Sequence, residues 1–98
     1  MRLRLCRLDE LDGDRLLTEH PDSGDPLLVL RDSDGVHVLD ALCPHQYAPL
    51  LGGDFEDGIL TCPMHQWRFD VKTGESPDMP VCLQRWPAEV EDGVIWLV

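Results

Sequence analysis

Two short segments of the chain each place a cysteine close to a histidine. Cys43 is followed by His45 in a C-x-H pair, and Cys62 is followed by His65 in a C-x-x-H pair, with residues 46–61 between them. Two thiolates and two imidazoles can hold a [2Fe–2S] centre in which the cysteines bind one iron and the histidines bind the other. Because each segment offers one ligand of each type, the two can reach both irons from opposite sides. The spacing therefore predicts redox chemistry at these four side chains.

The same ligand types also suit a structural zinc ion, which accepts two cysteines and two histidines. The members of a zinc-binding pair usually have about two to four residues between them, whereas a single residue separates Cys43 from His45. That spacing is tight for one tetrahedral ion and natural for ligands of two irons, so we predict one [2Fe–2S] cluster per chain. A zinc-stapled interaction module is the alternative from a different class. His20 and His37 have no cysteine at such a spacing and are expected to be structural or solvated rather than ligands.

Length and charge limit the class of protein and its partners. The 98 residues predict a single domain, 1–98, with a modest core. The formal net charge of -11 argues against a nucleic-acid partner, because phosphate repels an acidic surface. No segment has the length and apolarity of a membrane span or an export signal, so we expect a cytoplasmic protein without membrane contact. In that compartment Cys6 and Cys82 are expected to be ordinary buried thiols rather than a disulfide.

Regularly placed turn signals predict an all-β fold. Asp-Gly, a strong hairpin signal because both residues tolerate positive φ, occurs at 12–13, 34–35, 57–58 and 92–93. The predicted strands are Leu3 and Leu5, Arg15–Thr18, Leu27–Leu30, Val36–Leu39, Ile59–Thr61, Ala88–Val90 and Val94–Val98. Helical periodicity is poor and the eight prolines are scattered. We therefore predict a small antiparallel β sandwich or barrel.

The region from about 41 to 80 differs from its flanks in being rich in proline, glycine and potential ligands. It is predicted to be a cluster-binding subdomain inserted on a β base formed by residues 1–40 and 81–98. Cys43 is predicted to follow a strand that ends near Leu42, and Cys62 to follow one that ends at Thr61. A proline directly after each cysteine fixes φ and stiffens the ligand loops.

These residues resemble a known family. Residues 41–46 (ALCPHQ) and 62–70 (CPMHQWRFD) are similar to the ligand loops of Rieske-type ferredoxins. More narrowly, the C-P-H-Q sequence, Trp67 two residues after the second histidine, and Thr73-Gly74 resemble the ferredoxin component of toluene-monooxygenase-type diiron systems. The resemblance extends from about Cys6 to Val98 and implies a Rieske-type β fold.

The resemblance also implies roles for individual residues. Cys43 and Cys62 would bind one iron, and His45 and His65 would bind the other, which in this family lies near the surface. A third loop that contains proline covers the cluster in the family. Pro80 falls at that place, with Pro77 as a rival.

Departures from the respiratory members of the family predict a low reduction potential. Those proteins carry an extra, disulfide-bonded cysteine in each ligand loop, where this chain has Ala48 and Met64. They also place a serine and a tyrosine hydroxyl near the cluster, where this chain has Trp67 and Phe69. Hydrogen bonds to cluster sulfurs stabilise the reduced form, so their loss predicts a potential on the order of -150 mV. Trp67 is expected either to shield the cluster or to be a core aromatic.

The resemblance implies an electron carrier rather than an enzyme. Such a ferredoxin takes one electron from an NADH-dependent flavoprotein reductase and passes it to the terminal oxygenase of a bacterial aromatic or alkene monooxygenase system. Once both histidines of the pairs are ligands, no serine or cysteine nucleophile with a paired base remains. A ferredoxin of a Rieske ring-hydroxylating dioxygenase is the alternative within the class. A small subunit of a nitrite-reductase-type enzyme is a third, and the intact ligand set argues against it.

A carrier of this kind forms brief complexes, so a monomer is expected. Asp54, Glu56 and Asp57 lie between the ligand segments and are the best candidates for steering toward basic patches on redox partners. The alternative is that these acidic residues only keep the turn tips solvated, which is the ordinary role of acidic residues in turns. Tyr47 could pack beside the cluster or contribute to docking, and docking is the interpretation adopted here.

Overall fold

The computed structural model describes residues 2–44, 48–64 and 66–98. Within these ranges every strand pairing is antiparallel and there is no α-helix, which confirms the all-β prediction. A 3-10 turn, Leu8–Glu10, follows the first strand. The strands are β1 (Leu3–Arg7), β2 (Arg15–Glu19), β3 (Pro26–Asp32), β4 (Gly35–Asp40), β5 (Asp54–Glu56), β6 (Ile59–Thr61), β7 (Arg68–Asp70), β8 (Arg85–Trp86), β9 (Ala88–Glu91) and β10 (Val94–Leu97).

The strands form three sheets, which are β1-β10-β9, β2-β3-β4-β8 and β5-β6-β7. The first two are built from residues on either side of the predicted insertion, and β8 pairs with β4 through Val38–Trp86 and Leu39–Arg85. The third sheet consists entirely of residues between 54 and 70 and leads into and out of Cys62. The division into a base and an inserted subdomain stays a prediction.

Two of the Asp-Gly turns show the backbone conformation that the sequence predicts. Asp57 and Gly58 have φ of 53° and 76°, and Asp92 and Gly93 have the same values. Positive φ at both central residues is the requirement of a tight two-residue hairpin turn. These turns join β5 to β6 and β9 to β10, whose registers are continuous.

Strand β3 is buried on both faces and separates two cores. Leu28 and Leu30 belong to a core shared with the segment that carries the cysteine pairs, whereas Leu27 and Val29 belong to a core shared with β1 and β10. All four side chains are fully buried. Successive side chains of a strand point to opposite faces, so a continuous apolar run is needed here. One strand thereby fixes the cysteine-bearing segment to the rest of the domain.

Candidate metal centre

The first ligand segment, residues 43–48, is held closed at its base. The Cys43 N–H donates to the Ala48 carbonyl oxygen at 2.8 Å, and the Leu50 N–H donates to the Ala41 carbonyl at 2.8 Å. The preceding strand, β4, ends at Asp40, so the prediction that it runs to near Leu42 is wrong. The Asp40 N–H donates to the Gln84 carbonyl at 3.0 Å, and the chain then leaves the sheet, so that Leu42 forms only an isolated bridge.

The second ligand segment, residues 62–67, begins directly after β6, which ends at Thr61 as predicted. The Cys62 N–H donates to the Trp67 carbonyl oxygen at 2.7 Å and closes the segment. Gln66 has φ of 57°, a left-handed conformation that is uncommon for a residue other than glycine. Strain of this kind is held in place by surrounding structure and is frequent at functional sites. The sequence carries no signal for it.

The two cysteines predicted to bind one iron lie together. Each is 1% exposed, and both belong to the same core. Burial raises the pKa of the Cys62 thiol, a backbone hydrogen bond from Met64 acts in the opposite direction, and a hydrogen bond with the Cys43 side chain raises the pKa further. Two buried thiols in one core, supplied by separate segments, are the donor set that one iron of a [2Fe–2S] centre requires.

The histidine half of the predicted ligand set falls outside the described residues. His45, Gln46, Tyr47 and His65 are not described, and neither is Met1. Among the residues that are described, no group of three or more histidines, cysteines and carboxylates could hold a metal ion. The thiol pair therefore fits a group whose other ligands the sequence predicts at 45 and 65. The ligand set of four, and docking by Tyr47, stay predictions.

The side chains around the thiol pair are mostly apolar. Phe69 is fully buried in the core that contains both cysteines, and Trp67 is partly buried against that core. Met64 is 50% exposed, and Pro77 and Pro80 are also exposed. Shielding by Trp67 and cluster coverage by Pro80 stay predictions. The rings of Trp67 and Phe69, which stand where the respiratory proteins have a serine and a tyrosine, carry no hydroxyl group.

Arg15 is a positioning residue that the sequence analysis missed. Its Nη1 donates to the Leu51 and Gly53 carbonyl oxygens at 2.7 and 2.6 Å, and its Nε donates to Asp14 Oδ1 at 2.8 Å. The guanidinium thus ties β2 to the backbone that follows the first ligand segment. The sequence gives no local sign of this role, because the carbonyl groups that Arg15 contacts are 36 and 38 residues away along the chain.

The remaining cysteines differ from each other. Cys6 is buried in β1 opposite Ile95 of β10, and burial raises its pKa to about 11, with Glu10 adding to the effect. Cys82 is exposed, so the prediction that it is buried is wrong. It forms an isolated bridge with Glu75, and its neighbour Leu83 takes the core-facing position. Side chains alternate between faces in extended chain, so only one of the two can be inside. Both thiols are free, as expected.

The two histidines outside the pairs have structural contacts, as predicted. His37 is buried, with Nε2 3.0 Å from Asp32 Oδ1. The Nδ1 atom of His20 accepts hydrogen bonds from the backbone N–H groups of Asp22 and Ser23 at 3.1 and 3.3 Å.

The three acidic residues predicted to steer docking do not lie together. Asp54 pairs with Thr61 across β5 and β6, next to Cys62. Glu56 and Asp57 are at the opposite end of this hairpin, where they line a groove with Asp34. With a strand rise of about 3.3 Å per residue, the two ends are about 10 Å apart. Asp54 is therefore the member of the set placed beside the thiol pair.

The fold and the thiol pair define a small β protein with a metal-binding end, and comparison with known proteins identifies its family. Residues 1–87 match the Rieske [2Fe–2S] domain, and the chain therefore belongs to the Rieske family. The [2Fe–2S] cofactor follows from that membership, which decides against the zinc alternative. In the part of the chain that is described, no helix is long and apolar enough to cross a membrane.

Several relatives and solved structures are ferredoxins. The chain is 38% identical over 93 residues to the ferredoxin component of the alkene monooxygenase system of Xanthobacter autotrophicus, which covers 91% of this chain and 74% of that protein. The structure of Sphingomonas yanoikuyae B1 ferredoxin superposes with a TM-score of 0.85 at 30% identity, covering 99% of this chain and 97% of that one. These matches confirm the prediction of an electron-transfer protein rather than an enzyme.

A third similarity concerns a partner. The chain superposes with a TM-score of 0.81 at 26% identity on a chain from a complex of reduced oxygenase and oxidized ferredoxin in carbazole 1,9a-dioxygenase, with 98% of this chain and 91% of that one covered. Ferredoxin components of this family thus work with oxygenases, which confirms the oxygenase half of the predicted partnership.

Proposed function

We propose that this chain carries single electrons from an NADH-dependent flavoprotein reductase to the terminal oxygenase of a bacterial alkene or aromatic monooxygenase system. In this proposal Cys43 and Cys62 bind one iron, and His45 and His65 bind the other. The observation that carries it is the pair of buried thiols in one core, delivered by two separate Cys-Pro segments.

The chain's own residues determine how such a centre would work. When bound, a [2Fe–2S] centre takes up one electron and releases it without a change in ligands. Cys43 and Cys62 hold the inner side of the site, because their sulfur atoms lie in the core and exclude water there. The closing hydrogen bonds to Ala48 and Trp67 fix both cysteines before metal binds. Ligands held in advance by packed backbone favour small rearrangement during electron transfer.

The 38% identity to the Xanthobacter protein favours a monooxygenase system as the destination. The likeness to a chain of the carbazole dioxygenase complex keeps a Rieske dioxygenase as the second candidate. Both candidates need the same cluster and differ only in the terminal oxygenase. The NADH-dependent flavoprotein reductase is inferred from the resemblance to the ferredoxin components of multicomponent monooxygenases.

Reconstitution with purified partners tests the proposal. Electron paramagnetic resonance of the reduced protein should give an average g-value below that of an all-cysteine cluster, because histidine ligation lowers it. The protein should then support turnover of a diiron monooxygenase with an NADH-dependent reductase, and less turnover of a Rieske dioxygenase. If Asp54 steers docking, turnover should fall as ionic strength rises, since salt screens exposed charges. An all-cysteine spectrum, or turnover with the dioxygenase alone, would contradict the proposal.

The reduction potential is expected near the low end of the Rieske range, and replacing Trp67 by serine is expected to raise it. A new hydroxyl hydrogen-bonded to a cluster or cysteine sulfur would stabilise the reduced form by about 1 kcal/mol, which corresponds to roughly 40 mV for one electron. Trp67→Ala is the matched control, because it removes the same ring without adding a hydroxyl. Redox titration should place the serine variant above the alanine variant; equal potentials would contradict the hydrogen-bond explanation.

A further inference from the structure

The loop that carries Pro77 and Pro80 is the tip of an excursion with a closed stem. We call residues 76–81 the proline loop. The stem is closed by backbone contacts between facing residues, which are Gly74 with Leu83, Glu75 with Cys82 and Ser76 with Val81. Within the tip, the Val81 N–H donates to the Met79 carbonyl oxygen at 2.8 Å. The stem is therefore fixed, while the position of the tip depends on what the tip contacts.

The proline loop is joined at its end to the core that contains the thiol pair. Val81, at its end, is partly buried and packs against the core that contains Cys43 and Cys62. Leu83, two residues later, is a buried member of the same core. The end of the loop is thus anchored on the core that holds both thiols.

An arginine–aspartate pair joins the tip to the start of β7, directly after the second ligand segment. Arg68 Nε donates to Asp78 Oδ2 at 2.8 Å, and Arg68 Nη2 donates to Asp78 Oδ1 at 2.6 Å. This two-bond geometry fixes orientation as well as distance. Arg68 directly follows Trp67, whose carbonyl accepts the Cys62 N–H. The guanidinium holds the pKa of the Asp78 carboxyl below its usual value.

The exposure of the pair indicates a local role. The Arg68 and Asp78 side chains are 49% and 45% exposed. Exposed ion pairs contribute little to global stability, because water and salt screen them and ordering two long side chains costs entropy. A pair of this kind can still decide between two positions of a loop whose stem is already fixed.

We propose that Arg68 and Asp78 are positioning residues that hold the proline loop against the start of β7, directly after the second ligand segment, and that the loop thereby limits access of water to the metal centre. The inference rests on the proposed function, since it assumes the [2Fe–2S] centre at Cys43 and Cys62. It concerns neither a ligand nor the docking partner. Its consequence is that loss of the pair loosens the loop and hastens cluster loss without unfolding the domain.

The test uses the cluster-loaded protein with Arg68→Gln and Asp78→Asn. Both variants should release iron to a chelator between about twofold and fivefold faster. This is the factor by which the loss of an exposed ion pair would shift the equilibrium between the closed and open positions of the loop. Amide hydrogen exchange of the peptide covering 76–81 should quicken in both, while the thermal midpoint stays close to wild type. Water admitted by the loosened loop should stabilise the more negatively charged reduced form and so raise the reduction potential in both variants. The change of charge alone would lower the potential in Arg68→Gln and raise it in Asp78→Asn.

Two further proteins make the test decisive. The exchanged pair Arg68→Asp with Asp78→Arg should restore slow iron release. Arg7→Gln, which breaks a similar exposed two-bond pair with Asp9 at 3.1 and 3.0 Å, should leave release unchanged. Unchanged release and exchange in either single variant, or no recovery in the exchanged pair, would overturn the inference alone. A wild-type protein without the mixed-ligand spectrum would overturn the proposed function as well.

Discussion

Cys62→Ala is expected to abolish the [2Fe–2S] spectrum and to lower bound iron from about two atoms per chain to nearly none. The Cys62 sulfur is buried beside the Cys43 sulfur, and no other described side chain is placed to substitute for it. The cluster ligands are brought together only in the folded chain, so cluster binding also stabilises the fold. The apparent Tm should therefore fall together with the iron content. Iron and sulfide analysis, visible circular dichroism and a thermal scan measure these effects.

Cys6→Ala is the matched control, because it also removes a buried thiol but from the other core. It should keep its iron, as should Cys82→Ala, which changes an exposed side chain. His65→Ala tests the other half of the ligand set against His20→Ala. A normal mixed-ligand spectrum in either Cys62→Ala or His65→Ala would show that the ligand assignment is wrong, whereas loss of iron in Cys6→Ala would show that the assay reports general destabilisation.

The parts of the fold that the sequence predicts well depend on neighbours in the chain. Asp57-Gly58 and Asp92-Gly93 determine their hairpins by themselves, because both residues of each pair accept positive φ. The thiol pair was predictable for a related reason. The spacing of each cysteine–histidine pair is visible in a few neighbouring residues, and only the closeness of the two pairs in the fold is a further inference.

The parts that could not be predicted depend on distant contacts. Strands β5, β7 and β8 have two or three residues each, too few to show a period. The end of β4 is decided by Asp40, whose carboxylate accepts the Trp86 Nε1–H at 2.9 Å. The carbonyl partners of Arg15 and the aspartate partner of Arg68 are likewise absent from any local pattern. At the ligand end, therefore, the sequence identifies the cysteines but not the side chains that position them.

Gly74→Ala is expected to destabilise the protein by about 2–4 kcal/mol, which for a domain of this size lowers the apparent Tm by roughly 10 °C or more. Two physical causes combine at this position. Gly74 has φ of 81°, where a Cβ is strained, and the added Cβ would overlap the Leu83 carbonyl oxygen. Relief would require the stem of the proline loop to separate, so faster iron release should accompany the loss of stability.

Three other glycines separate the two causes of that destabilisation. Gly24 has φ of 77° and open space around it, Gly53 lacks positive φ but its Cβ would overlap the Thr61 carbonyl oxygen, and Gly52 has neither feature. Thermal scans of the four alanine variants should therefore rank Gly74 as the most destabilised, Gly53 and Gly24 as intermediate, and Gly52 as close to wild type. If Gly74→Ala were no worse than Gly24→Ala, the close approach of Leu83 would carry no energy. In that case only backbone strain would explain why glycine stands at the start of the stem that supports the metal-binding end.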